Sequence, residues 1–186
     1  MNLDSLKFPI GRFNYIEEDC VELDNWIRYI KQFPKEISKL TSELNIEQLN
    51  WKYRPDGWTI KQVVHHCADS HLNSIIRFKL ALTEEKPTIR PYFEHKWAEL
   101  IDSLDNDISF SLSLIESIHY KWVLLLDSMS EEQFKLKFIH PEHNKEFNLY
   151  EATSMYAWHC EHHLSHIRNA LKFKGKFNAN INNNKL

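Results

Sequence analysis

Three glycines in 186 residues constrain this chain more than any other feature. All-β domains reverse direction through tight turns that draw on glycine's positive φ, and so few glycines cannot serve the many turns such a domain of this size needs. Long helices are the expected alternative. Four segments, about 20–44, 59–84, 107–128 and 148–174, carry apolar residues at helical spacing, and the stretches between them hold most of the prolines and turn formers. The pattern predicts an all-α four-helix bundle. With 42% hydrophobic residues, the chain is long enough for one sizeable core and too short for two, so a single domain is expected over 1–175.

Local signals set the helix ends. Thr59-Ile60-Lys61-Gln62 has the spacing of a capping box, and Asn148 to Glu151 resembles one. Gly175 is placed to end the last helix. The Asn-rich tail over 176–186 has no apolar face and is expected to be disordered. Pro87 and Pro91 disfavour continuation of the second helix, which predicts a crossover near 84–92. Phe93, Trp97, Leu100, Ile101 and Leu104 suggest a short extra helix within 92–104. The first ~18 residues read as an extended segment able to drape over the bundle.

A formal net charge of -3 and the lack of a basic run predict neither a nucleic-acid partner nor attraction to a membrane surface. No stretch approaches the roughly twenty apolar residues of a membrane span, and the N-terminus lacks the apolar core of a signal peptide; a cytoplasmic location is expected. Cys20, Cys67 and Cys160 are odd in number and widely spaced, a pattern of reduced thiols rather than of a disulfide framework.

Trp158-His159-Cys160-Glu161-His162-His163-Leu164-Ser165-His166 puts four histidines in nine residues. Residues four apart stack on one helix face, so two pairs could each grip one ion. His159 and His163 share the inward face with Ala152, Met155, Tyr156, Ile167 and Ala170, whereas His162 and His166 turn toward its edge. Burying two adjacent imidazoles without partners is costly, and a shared cation removes that cost. The first pair is therefore the stronger candidate. His65, His66 and His71 supply the earlier cluster. Periodicity alone favours His71, while His66 shares a polar stripe with Ser70, Asn73 and Arg77. His-Glu-x-x-His occurs nowhere, so the chain does not follow the zincin pattern.

Longer motifs narrow these choices. Phe8-Pro9-Ile10-Gly11, Gly57-Trp58-Thr59-Ile60-Lys61-Gln62-Val63-Val64-His65-His66, Ala68-Asp69-Ser70-His71, Ile76-Arg77-Phe78-Lys79-Leu80, Leu82-Thr83-Glu84-Glu85-Lys86-Pro87, Ile89-Arg90-Pro91-Tyr92 and the 158–167 run resemble the DinB/YfiT-like metal-dependent proteins, the YfiT group above all. The resemblance covers most of the chain. It implies a four-helix bundle with one metal ion held by three histidines, here His66, His159 and His163, and it implies a homodimer. The broader DinB pattern has His-Arg-Gly-Gln where this chain has His163-Leu164-Ser165-His166; the YfiT group shares the His-x-x-His ending.

Three neutral imidazoles around an open coordination position are the arrangement of catalytic rather than structural zinc, and leave the ion's charge undiminished. Zn2+ is expected, with Ni2+ or Fe2+ also suited to imidazole. A small-molecule substrate is then either hydrolysed by an activated water or, if it is a low-molecular-weight thiol, transferred to an electrophile. Both chemistries occur among the families this chain resembles, which include bacillithiol and mycothiol transferases. A third reading is a non-catalytic metal-binding bundle. Asp69 and Glu161 are candidates to orient a ligand, and Arg54, Arg77 and Arg90 to bind an acidic substrate, Arg77 foremost. Trp58, Tyr92, Trp97 and Trp158 could roof a pocket. Cys67 and Cys160 adjoin proposed ligands but face elsewhere, as small buried apolar residues do.

Overall fold

The computed structural model describes residues 2–15, 22–142 and 144–177. Its elements in chain order are α1 (Leu3–Lys7), α2 (Leu23–Thr41), α3 (Ile46–Leu49), α4 (Ile60–Thr83), α5 (Glu94–Trp97), α6 (Ser109–Ser128), α7 (Glu131–Phe134), β1 (Lys137–His140), β2 (Lys145–Asn148) and α8 (Leu149–Phe173). The four long helices are those the periodicity predicts. Residue 20, where the first was expected to begin, Cys20, and the tail from 178 onward lie outside the described residues.

Helix α2 packs against α6 and α8, and α4 packs against the same two. The two long helices that follow each other in sequence therefore occupy opposite corners of the bundle. One half of the core gathers Phe78, Trp122, Leu126 and Tyr156; the other gathers Phe33, Ile37, Ile60, Val64, Ile115 and Leu164. Helix α4 is buried along nearly its whole first half, from Ile60 through Ala68. Among the described residues no helix is long and apolar enough to cross a membrane.

Thr59 and Gln62 form the predicted capping box, each side chain bonded to the other's backbone N–H. Only half of the second box forms. Asn148 accepts from the Glu151 N–H at 2.7 Å, but the Glu151 carboxylate turns to Lys145 Nζ instead. Helix α8 ends on two left-handed residues, Lys174 (φ 52°) and Gly175 (φ 64°), with the Gly175 N–H returning to the Ala170 carbonyl at 3.1 Å.

Three details depart from the expected layout. The 136–148 stretch holds an antiparallel hairpin, with Phe138 opposite Phe147, and the Pro87–Ile89 segment of the crossover runs alongside β1 through Ile89 N–H to Ile139 O and Ile139 N–H to Pro87 O. The short extra helix within 92–104 is confined to Glu94–Trp97, followed by turns. The N-terminal segment drapes over α8 as expected, through Trp158 Nε1–H to Gly11 O and Phe8 against His162, yet it begins with a turn of helix, α1, rather than extended.

The flank of α4 anchors the 98–106 loop. Lys61 Nζ donates to Leu104 O and Asn106 Oδ1, Gln62 Nε2 donates to Ala98 O, and the His65 ring meets Ser111 Oγ at 2.8 Å and Asp105 O at 3.2 Å. His65 is thereby committed to holding the loop.

Candidate metal centre

The neighbouring helices α4 and α8 bring His66, His159 and His163 together. Their ring centroids are 5.4 Å (66–159), 4.9 Å (66–163) and 4.4 Å (159–163) apart. One ring nitrogen from each lies within 4.8 Å of the other two. His66 Nε2 and His159 Nε2 face each other at 3.3 Å. Two imidazole nitrogens bound tetrahedrally to one zinc at about 2.0–2.1 Å sit about 3.3–3.4 Å apart, so this edge already has the span of a shared ion.

Which nitrogen of each ring offers a lone pair follows from a chain of hydrogen bonds. The Ile30 carbonyl can only accept, so His119 Nδ1, 2.6 Å from it, carries the proton. Neutral His119 then accepts at Nε2 from His71 Nδ1–H at 2.8 Å. His71 in turn accepts at Nε2 from His159 Nδ1–H at 3.1 Å, which leaves the lone pair of His159 on Nε2, facing His66. A second, shorter chain acts on His163. The Lys7 carbonyl takes the His166 Nε2–H at 3.1 Å, and His166 Nδ1 accepts from His163 Nδ1–H over a longer 3.4 Å. Both imidazoles of α8 therefore present Nε2 lone pairs, which is the state a metal requires.

The first chain starts at a carbonyl that the sequence sets free. Pro34, inside α2, has no N–H to give to the carbonyl four residues back, which is Ile30. His119 supplies the missing donor. The links come from α2, α6, α4 and α8 in turn, so the chain crosses all four long helices.

Burial keeps these rings neutral. His66 is pushed down to about 4, by burial first and by His162 second. His159 and His163 are held well below the usual imidazole range by burial first, and next by His66 for His159 and by His159 for His163. Burial likewise lowers His119 to about 4, against the opposing pull of the Ile30 carbonyl, and His166 to about 3. An uncharged imidazole is the ligand form.

A second group, His71, His119 and Cys160, also has its ligand atoms within 4.8 Å. The 2.8 Å between His71 Nδ1 and His119 Nε2 is a hydrogen-bond length and too short for two nitrogens sharing zinc. Burial raises the Cys160 thiol well above its ordinary range and raises Cys67 as well, so both remain protonated and buried, as expected of apolar cysteines.

The candidate orienting carboxylates do not reach the rings. Asp69, raised to about 6 by burial and then by Asp102, points around the helix from His66, and Glu161 pairs with Arg168 at 3.5 Å. Among the described residues no histidine hydrogen bond runs to either. Histidines do the orienting instead, and His119 was not singled out by the sequence because a lone histidine in an apolar helix carries no spacing signal. The best clue was Pro34.

The three rings lie at the wall of a cleft of about 870 Å³, whose lining includes Trp58, Tyr92, Trp158, Arg54 and Arg77. Trp58 leans on His66 at 4.7 Å, and Trp158 stacks on His162 at 4.4 Å. Trp97 packs on Tyr92 at 4.5 Å from behind, and Arg90 is exposed.

Residues 29–167 match the model of the DinB superfamily. The chain belongs to the DinB superfamily. It is 46% identical over 167 residues to a Bacillus licheniformis protein named "putative metal-dependent hydrolase", covering 89% of this chain and 95% of that one. It is 47% identical over 173 residues to a Bacillus cereus protein of the same name, covering 91% and 98%. The solved structure of YfiT from Bacillus subtilis, described as "a probable metal-dependent hydrolase with an unusual four-helix bundle topology", superposes with a TM-score of 0.86 at 41% identity, over 93% of this chain and 99% of that one. The opposite-corner placement of α2 and α4 is thus set within a DinB bundle.

Proposed function

We propose that this protein is a metal-dependent hydrolase in which His66, His159 and His163 hold one divalent ion, zinc in the first instance, and a small-molecule substrate enters through the adjoining cleft. The observation that carries the reading is the convergence of three neutral imidazoles, His66 and His163 buried and His159 half-buried, two of them with Nε2 lone pairs fixed by hydrogen-bond chains. An ion so held supplies Lewis acidity and lowers the pKa of water from 15.7 to about 7. The chain's own residues do the rest. His71 and His119 fix His159, His166 fixes His163, and Trp58 and Trp158 wall the cleft. The likeness to proteins named as metal-dependent hydrolases supports the same reading.

Elemental analysis of protein purified without a histidine tag is expected to find about one metal per chain, and His159→Ala to lose it while far-UV circular dichroism stays helical. Unchanged stoichiometry would refute the ligand assignment. The same three imidazoles suit thiol transfer, and incubation with bacillithiol and monobromobimane, with and without chelator, separates the two: a metal-dependent conjugate moves the chemistry to transfer. The exposed Phe110, Tyr120 and Leu124 on α6 support self-association as a homodimer, which sedimentation equilibrium checks, and the two buried reduced thiols accord with a cytoplasmic location.

A further inference from the structure

The inference deepens the reading above and rests on it for the place of the reacting bond. Arg77 is only 9% exposed, and among the described residues no carboxylate pairs with it. Its one side-chain hydrogen bond among the described residues is from Nη1 to the Tyr156 hydroxyl at 3.2 Å. A buried guanidinium without a counter-charge costs several kcal/mol in general, and its remaining donors fan out in a fixed plane suited to a forked oxyanion. Arg77 lines the same cleft as the three imidazoles.

Other hydroxyls gather there. Ser70, one turn from His66 on the same face of α4, lies beside both the Tyr92 and Tyr156 phenols, and all three line the cleft. Burial raises both phenols above their ordinary range, Arg77 opposing it in each case, so each keeps a proton to donate. The two carboxylates that line the cleft, Glu94 and Glu142, are exposed and do not pair with Arg77. His66 and Arg77 are eleven positions apart, about 16 Å along the helix axis, but the guanidinium reaches Tyr156, whose ring centroid lies 5.9 Å from that of His159.

We infer that Arg77, with the hydroxyls of Ser70, Tyr92 and Tyr156, forms an anion subsite that binds a carboxylate or phosphate group of the substrate, in the cleft beside the three histidines. The substrate class is then a small acid whose carboxylate or phosphate group sits close to its reacting bond. Arg77 holds and orients it and takes no part in bond making.

The test titrates the chelator-stripped full chain with glutarate and, separately, inorganic phosphate, by isothermal titration calorimetry. Stripping removes the metal, so failure of the ligand assignment leaves this measurement untouched; metal content of Arg77→Met, measured in parallel, should match the wild type. Saturable one-site binding is expected, weakened about tenfold or more by Arg77→Met, less by Arg77→Lys, which keeps the charge but loses the fork, and not at all by Arg90→Met at the exposed arginine. Tighter glutarate assigns a carboxylic acid and tighter phosphate a phosphate ester. Should Arg77→Met fail to fold, Arg77→Lys and Tyr156→Phe, each still expected to weaken binding, carry the test. Absence of saturable binding for both anions, or equal affinity in the folded Arg77 variants and the wild type, overturns the inference.

Discussion

Replacing His119 by leucine removes the middle of the longer hydrogen-bond chain without touching a proposed ligand. His119 is 2% exposed, and its loss strands the Ile30 carbonyl and the His71 Nδ1–H, each at about 1–3 kcal/mol. Unfolding stability should therefore fall by about 2–6 kcal/mol. The larger interest is in the metal. Without an acceptor at His119, His71 gains by moving its proton to Nε2, which obliges His159 to accept at Nδ1 and carry its own proton on Nε2, the nitrogen that faces His66. Outer hydrogen-bond partners of this kind typically contribute 10–100-fold to metal affinity, about 1.4–2.8 kcal/mol. Glutamine is the informative control, since its amide N–H can reach the Ile30 carbonyl while its carbonyl accepts from His71. Competition against a chromophoric zinc chelator should show His119→Leu weakened 10–100-fold and His119→Gln within about threefold of the wild type, with long-range 15N correlation spectra of the imidazoles showing the tautomer change in the leucine variant. A folded His119→Leu protein with wild-type zinc affinity, or a glutamine variant no better than leucine, would refute the tautomer argument.

Two further outcomes follow from the same geometry. Because His66 and His119 fold with values of about 4 against an ordinary 6.5, the folded state excludes their protons. Their contribution is complete above pH 6.5 and is lost as pH falls toward 4, at up to about 1.4 kcal/mol per pH unit for each ring. Urea denaturation of chelator-treated protein should show a lower midpoint at pH 5 than at pH 7.5, and a flat or rising midpoint on acidification contradicts this. Thr59→Ala, which removes one arm of the capping box, should cost about 1 kcal/mol in the same assay and leave metal content unchanged.

The bundle was legible because four segments kept a helical period and glycine was scarce. The hairpin was not, since β1 and β2 have four residues each and only Phe138 and Phe147 are buried on them; the turn between them places Asn144 at φ 44° where a glycine would have announced it. His159 and His163 could be read from spacing because α8 has a recognisable inward face. Helix α4 gave no such guide. Its apolar face favours His71, which is indeed wholly buried but serves as a link to His159, whereas burial from Ile60 to Ala68 takes in the flanks of the helix as well and so includes His66. Only the longer motifs pointed to His66. His119 and Ile30 meet across 89 positions, a pairing that helix periodicity does not encode.

With the proposed ligands, the four-helix relay from Ile30 to His159 would make cation capture a readout of correct assembly. A loosened bundle, or one whose helices slid by a single residue, would keep every histidine and still lose the proton order that exposes the His159 electron pair. Ion uptake would thus reward only the finished tertiary arrangement, and a half-formed intermediate would compete poorly for scarce metal in the cell.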